Sequence, residues 1–253
     1  MRPSGVLSGR RWALGVVGAA LTAGLINAAP AGAAPSARAD QEFHAYSIAY
    51  QLGGHFTGTR ERFRDFAPNY ALDPTDGSDD VNAALWMVLP NGTSLEIGYT
   101  VLAVGDPGSF AAYRYVEINT PDGRHQIIAM DQAGHVTTTD AADTGVWVTF
   151  PADTASHDYA IVRERLNPRA WDFLLDNHLV YRYTSRRVES GRTLEAGIES
   201  YRADADIFDT FGNLGKQING RWFPWQHQDV RVGRPHLSGY WTGTTAWTAT
   251  QHA

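Results

Sequence analysis

The chain has 253 residues, with 21 basic against 27 acidic side chains, and it contains no cysteine. Disulfides, thiolate metal sites and cysteine nucleophiles are therefore excluded. The acidic balance disfavours nucleic acid and anionic lipid, which reward clustered Lys and Arg.

The N-terminus reads as a secretory signal peptide over residues 1–39. Arg2, Arg10 and Arg11 precede an apolar run from Trp12 to Ile26, and small residues with Ala-x-Ala spacing follow, allowing cleavage after Ala33 or Ala39. The run is too short and too rich in Ala and Gly for a spanning helix. Arg10-Arg11-Trp12-Ala13-Leu14 resembles a twin-arginine export signal, with an ordinary Sec signal as the alternative. Either route implies a secreted, extracellular protein. Removing residues 1–39 takes away four arginines and no acid, leaving 17 basic against 27 acidic residues, a net charge of about −10. Lys216 is the only lysine, while Arg and Ala are plentiful, which suggests a GC-rich bacterial genome.

Residues 40–54 read as a lead-in packed on an edge, and residues 55–253 as one β-sandwich domain ending in an aromatic tail. The spacing predicts strands over 55–64, 83–89, 94–103, 111–119, 125–131, 145–150, 158–166, 170–176, 179–185, 193–201 and 229–232. Turn residues separate them: Pro90-Asn91-Gly92, Pro121-Asp122-Gly123, Asp176-Asn177 and Ser190-Gly191. No segment keeps a helical period over three turns. Many short strands at this spacing imply an antiparallel sandwich or barrel. The stretch from Trp222 to Trp247 is expected to cover sheet surface.

Within these strands one motif occurs twice. Ser94-Leu95-Glu96-Ile97-Gly98 is echoed by Thr193-Leu194-Glu195-Ala196-Gly197, followed by Ile198-Glu199-Ser200-Tyr201. Side chains alternate along a strand. Leu95, Ile97, Tyr99 and Val101 therefore share a face with one another, as do Leu194, Ala196 and Ile198. Glu96, Gly98 and Thr100, and Glu195, Gly197, Glu199 and Tyr201, take the opposite faces. Between them, Tyr113, Tyr115, Glu117 and Asn119 alternate on one strand. If the three strands share a sheet, carboxylates and tyrosines line one side and aliphatics the other. Carboxylates so close cannot all ionise freely, and general acid–base hydrolysis uses such pairs. The alternative is an ordinary wet sheet face. A glycine within a strand marks room for a ligand or for a second backbone.

The run from Phe56-Thr57-Gly58-Thr59 to Pro68, then Ala84-Leu85-Trp86-Met87-Val88-Leu89 and Leu95-Glu96-Ile97-Gly98-Tyr99-Thr100-Val101, resembles the glutamic peptidases, both eqolisins and the neprosin-like group. The resemblance implies an all-β fold, a concanavalin A-like jelly-roll β-sandwich of two antiparallel sheets. It also implies a catalytic pair on the concave sheet, Glu96 and Glu199, the latter matched by Ala196-Gly197-Ile198-Glu199. Tyr113, Tyr115, Glu117, Glu195 and Tyr201 would bind or position substrate. Trp171-Asp172-Phe173-Leu174-Leu175-Asp176-Asn177 looks like a strand-and-turn of lectin-like sandwiches. Tyr99 stands where neprosin-like sequences carry Trp, and the family cysteines are missing. Glu195-Ala196-Gly197-Ile198-Glu199 also resembles the Glu-x-Asp-x-Glu strand of lectin-like β-glucanases, with Gly197 in place of the central Asp.

The expected partner is thus a polypeptide or a glycan, cleaved or simply bound on the same face by a monomer, with no nucleic acid, membrane, cofactor or metal. The Asp73–Asp80 stretch lacks EF-hand spacing and reads as a solvated acidic loop. Asp204, Asp206 and Asp209 read the same way, and His227 and His236 as surface histidines.

Overall fold

The computed structural model describes residues 45–64, 80–103, 110–141, 150, 155–200, 207–226, 230–232 and 237–251. These form fifteen strands. In chain order they are β1 (Ala45–Arg64), β2 (Asp80–Val88), β3 (Ser94–Ala103), β4 (Phe110–Asn119), β5 (His125–Met130) and β6 (Val136–Thr138). Then come β7 (Ser156–Arg163), β8 (Ala170–Leu175), β9 (His178–Thr184), β10 (Gly191–Ser200) and β11 (Ile207–Ile218). The last four are β12 (Arg221–Pro224), β13 (Val230–Val232), β14 (Leu237–Trp241) and β15 (Trp247–Gln251).

Every pairing is antiparallel, and β1 belongs to both layers of the sandwich. Its first half, Ala45–Leu52, pairs with β10, and its residues Ser47–Ala49 pair with β13. A register shift between Leu52 and Phe56 then passes the strand across, and its second half pairs with β11 and β7. The front sheet runs β13-β1-β10-β2-β3-β4-β5-β6, and the back sheet runs β9-β8-β7-β1-β11-β15-β14, with β12 beside β11. This is the antiparallel jelly-roll sandwich that the resemblance implies, where the strand spacing alone leaves a barrel open. Residues 45–52 thus pair with β10, and at residues 47–49 β13 lies on the other side.

Leu95, Ile97, Tyr99, Leu194, Ala196 and Ile198 are all fully buried between the sheets, as alternation requires. From the back sheet, Phe63 stacks on Tyr159 at 4.2 Å and tilts against Phe211 at 5.5 Å, and Phe211 stacks on Trp247 at 5.1 Å. The inner side is not purely aliphatic, however. Arg114 alternates with Tyr113 and Tyr115, so it is driven between the layers. There its Nε donates to the Tyr159 hydroxyl at 3.3 Å, its Nη1 donates to the Gln132 carbonyl, and its guanidinium lies 5.0 Å from the Phe150 ring.

The expected tail is also corrected: β12, β13, β14 and β15 are paired strands, and Trp225 and Trp247 are core residues. The 145–150 strand lies outside the described residues except for Phe150, which bridges Ala112. The β8–β9 turn at Asp176-Asn177 takes φ of 49° and 65°, the left-handed pair that a tight two-residue hairpin needs.

Lys216 on β11 is 8% exposed, and its one hydrogen-bond acceptor among the described residues is Gln51 Oε1 at 3.2 Å. No described carboxylate pairs with it, and burial holds its ammonium below the ordinary lysine range. Its folded-state value lies below the unfolded one, so the stability it costs appears as pH falls through that window and is present in full at neutral pH. Lys216→Met is expected to raise Tm at pH 7 by about 2–4 °C per kcal/mol relieved, with the gain shrinking as pH rises toward 10. A gain independent of pH would mean that the amine ionises in the fold as it does in the unfolded chain. Leu95→Ala and Leu194→Ala should each cost about 2–5 kcal/mol in denaturant unfolding. A cost below that range would place these side chains outside the core.

Candidate active site

The register of the front sheet arranges its outward face in rows that cross the strands. One row runs Glu117, Glu96, Trp86, Glu195, Tyr50. The next runs Tyr115, Gly98, Ala84, Gly197, Ile48, and the one after it Tyr113, Thr100, Asn82, Glu199, Tyr46. Over β3, β2 and β10, the middle row holds nothing larger than a methyl group. It forms a floor between two walls, one bearing Glu96, Trp86 and Glu195 and the other Thr100, Asn82 and Glu199. The glycines exist for the backbone rather than for a ligand. A Cβ on Gly197 would lie 2.2 Å from the Ser47 carbonyl oxygen, and one on Gly98 2.6 Å from that of Ala83. Close strand approach thus excludes a side chain at both points, and the groove is its by-product.

Glu96 is not on a wet face. It is 7% exposed, and Glu195, Tyr113 and Tyr115 are buried to a similar degree, while Glu117 and Glu199 are half-buried. Burial, first of all, pushes the Glu96 carboxyl well above the usual carboxylate range, and the charges of Glu117 and Glu199 push it further. Hydrogen bonds from Tyr115 and Trp86 oppose the shift without cancelling it. The Tyr115 hydroxyl donates to Glu96 Oε1, and burial, then the Glu96 charge, raise the phenol, so it stays a donor. Tyr115 meets Tyr113 edge-on at 5.9 Å. Glu117, directly opposite Glu96, accepts from Asn119 Nδ2 at 2.6 Å and lies 3.1 Å from His125 Nε2.

Six of the seven sequence-derived site residues thus share one face, and Tyr201 lies outside the described residues. On a flat lattice Glu195 would stand closer to Glu96 than Glu199 does, since it shares the same row about 10 Å away across two strand spacings. Glu199 is four residues further along. Its charge nevertheless reaches Glu96, because only Gly98, Ala84 and Gly197 lie between. Sequence reasoning missed Asn82, Trp86 and His125 as members of the site. The first two were accessible: Asn82, Ala84 and Trp86 alternate, but a strand begun at Ala83 leaves Asn82 outside. His125 becomes visible only through its register with Asn119.

No family model matches the sequence, and no curated protein matches it. Among solved structures, Scytalido-glutamic peptidase with a peptide-based transition-state analogue aligns at a TM-score of 0.49 and 11% identity, over 81% of this chain and 97% of the other. A prokaryotic β-1,3-1,4-glucanase (lichenase) derived from a mouse hindgut metagenome aligns at 0.33 and 12%, over 83% and 79%. The laminarinase catalytic domain from Thermotoga maritima aligns at 0.35 and 8%, over 83% and 77%. Likeness at this level assigns neither a substrate nor a residue's role.

The Glu96 shift has a thermodynamic signature. Its folded-state value exceeds the unfolded one, so its contribution is intact below the unfolded carboxylate range and is lost as pH rises through the folded value. Glu96→Gln removes the ionisation. Its Tm relative to the parent should therefore climb from pH 4 to pH 8, by about 2–4 °C per kcal/mol relieved. A difference that stays flat across that range would return Glu96 to an ordinary solvated carboxylate.

Proposed function

We propose that this chain is an exported bacterial hydrolase that cleaves polypeptides by general acid–base catalysis, with Glu96 and Glu199 as its pair. The observation that carries the reading is the environment of Glu96. It is a buried carboxyl pushed well above the usual carboxylate range, held by Tyr115 and Trp86, and separated from the Glu199 charge only by a floor of glycine and alanine. Glu96 is thereby suited to the acid's role that one carboxyl plays in other paired-carboxylate sites. Glu199, on the more solvated wall, takes a proton from water as that water attacks the scissile carbonyl carbon. Glu96 then delivers its proton to the leaving nitrogen, and the two carboxyls exchange protonation states before the cycle resets. The Glu117 charge helps to hold the proton on Glu96, Glu195 positions substrate from the same row, and Tyr113 and Tyr115 contact the substrate. Acidic conditions favour the protonated acid, and the alkaline limb of the rate profile follows Glu96.

A second reading, glycan cleavage or binding, is favoured by Glu195 and Glu199 flanking Gly197 on one face and by the Tyr113–Tyr115 pair. The test uses the secreted form on denatured protein at acidic pH, with reducing-sugar release from β-glucans in parallel. Glu96→Gln and Glu199→Gln should each lower peptide kcat/KM by about 10²–10⁴-fold, the usual weight of one general acid or base. Unchanged proteolysis in both variants would sink the assignment. Sugar release without proteolysis, lost in Glu195→Gln, would transfer the site to glycans.

A further inference from the structure

Two further candidates on the molecule are buried groups outside the groove, Lys216 and the inward Arg114. A third lies within the groove and bears on its chemistry: Asn82. Its row places it between Thr100 and Glu199, directly opposite each on the neighbouring strands. The Thr100 hydroxyl donates to Asn82 Oδ1 at 2.6 Å, which fixes the orientation of the amide. Asn82 retains 9% of its surface, and its Nδ2 makes no hydrogen bond to any described residue. The atom is not sealed from solvent, so a water or a ligand in the groove can complete it. Here two N–H bonds remain available in the wall that carries Glu199, across the Gly98–Ala84–Gly197 floor from Glu96.

We infer that the Asn82 side-chain amide is the oxyanion donor of the site, an inference that rests on the hydrolase reading above. When water activated by Glu199 adds to a peptide carbonyl, the π electrons of the C=O bond move to oxygen. Glu96 is engaged with the leaving nitrogen at the opposite wall, so a separate donor must meet that oxygen. Asn82 stands beside the base, where the attacked carbonyl must lie, and being neutral it adds no charge to compete with the Glu96 proton. Thr100 is the positioning residue, because its hydroxyl holds Oδ1 and leaves Nδ2 toward the groove.

The experiment compares the parent with Asn82→Ala, Asn82→Asp and Thr100→Val, using a denatured protein substrate, a tetrahedral phosphinate peptide analogue and a planar peptide amide of the same sequence. Removing one oxyanion donor typically costs about 10²–10³-fold in kcat. Asn82→Ala should lose that much with KM little changed. It should also lose at least about tenfold affinity for the phosphinate, the lower end of what one lost donor implies, and none for the planar amide. Thr100→Val keeps the amide but frees its rotation, so it should show a smaller loss of the same pattern even if an Asn82 variant fails to fold. Parent-like kcat and phosphinate affinity in the folded variants would overturn the assignment while leaving the hydrolase reading intact. Equal losses for phosphinate and planar amide would make Asn82 a packing residue and overturn it as well. A parent that neither cleaves the protein nor binds the phosphinate would sink both readings together.

Discussion

The front sheet depends on one steric fact: at Gly98 and Gly197 the neighbouring backbones come so close that no Cβ fits. Strands that approach this tightly must carry glycine there, and with Ala84 in register between them a whole row loses its side chains. Everything chemical follows from that gap. Glu96 can feel Glu199 across it, and Tyr115, opposite Gly98, can send its hydroxyl to Glu96. A larger residue at Gly197 would first disturb the pairing of β10 with β1 and only then the groove.

Burial is the second constraint, and among the groove carboxyls it bears visibly on Glu96. Placing an ionised carboxylate in a poorly solvated site costs several kcal/mol unless the group is paired, so such groups keep their proton instead. Glu96 receives two donors but no cation. Desolvation therefore outweighs the hydrogen bonds, and the carboxyls at Glu117 and Glu199 add to it. Glu117 is in a different position, with Asn119 and His125 against its Oε1. Residue type alone would treat these glutamates as equivalent, and it is their neighbours that separate them.

Much of the architecture could be read from the sequence because alternation on β3, β4 and β10 is a local property. Leu95, Ile97, Tyr99, Leu194, Ala196 and Ile198 could be sent inward, and the glutamates outward, from the period of two alone. What alternation cannot show is what covers a face, and so the burial of Glu96 was not legible. The strand β11 was illegible for a different reason. Asp209, Gly212, Asn213, Gly215 and Lys216 are all poor strand formers, yet a register shift opposite Arg60 and Arg62 and a φ of 55° at Asn213 absorb them as an irregularity within a continuous strand. The β11–β12 hairpin did carry a signal, Asn219-Gly220 between strand-like runs, and both residues adopt the positive φ that this pair favours. Arg114 shows tertiary context overriding composition. Alternation forces it inward, and Tyr159, Gln132 and Phe150 supply the partners that make an arginine tolerable there.

The two layers divide the work through β1. Its first half stiffens the front sheet beneath β10, where Ser47 and Ile48 impose the glycine at 197. Its second half anchors the back sheet through Phe63 and the stacked rings around it. Both walls are carried by the same strands β3, β2 and β10, so their separation is set by the strand rise, and β1 holds β10 in place beside them. The geometry that sets Glu96, Glu199 and Asn82 around one floor is therefore held by the same contacts that hold the fold. The energy that buries Glu96 is therefore supplied by the core, before any ligand arrives.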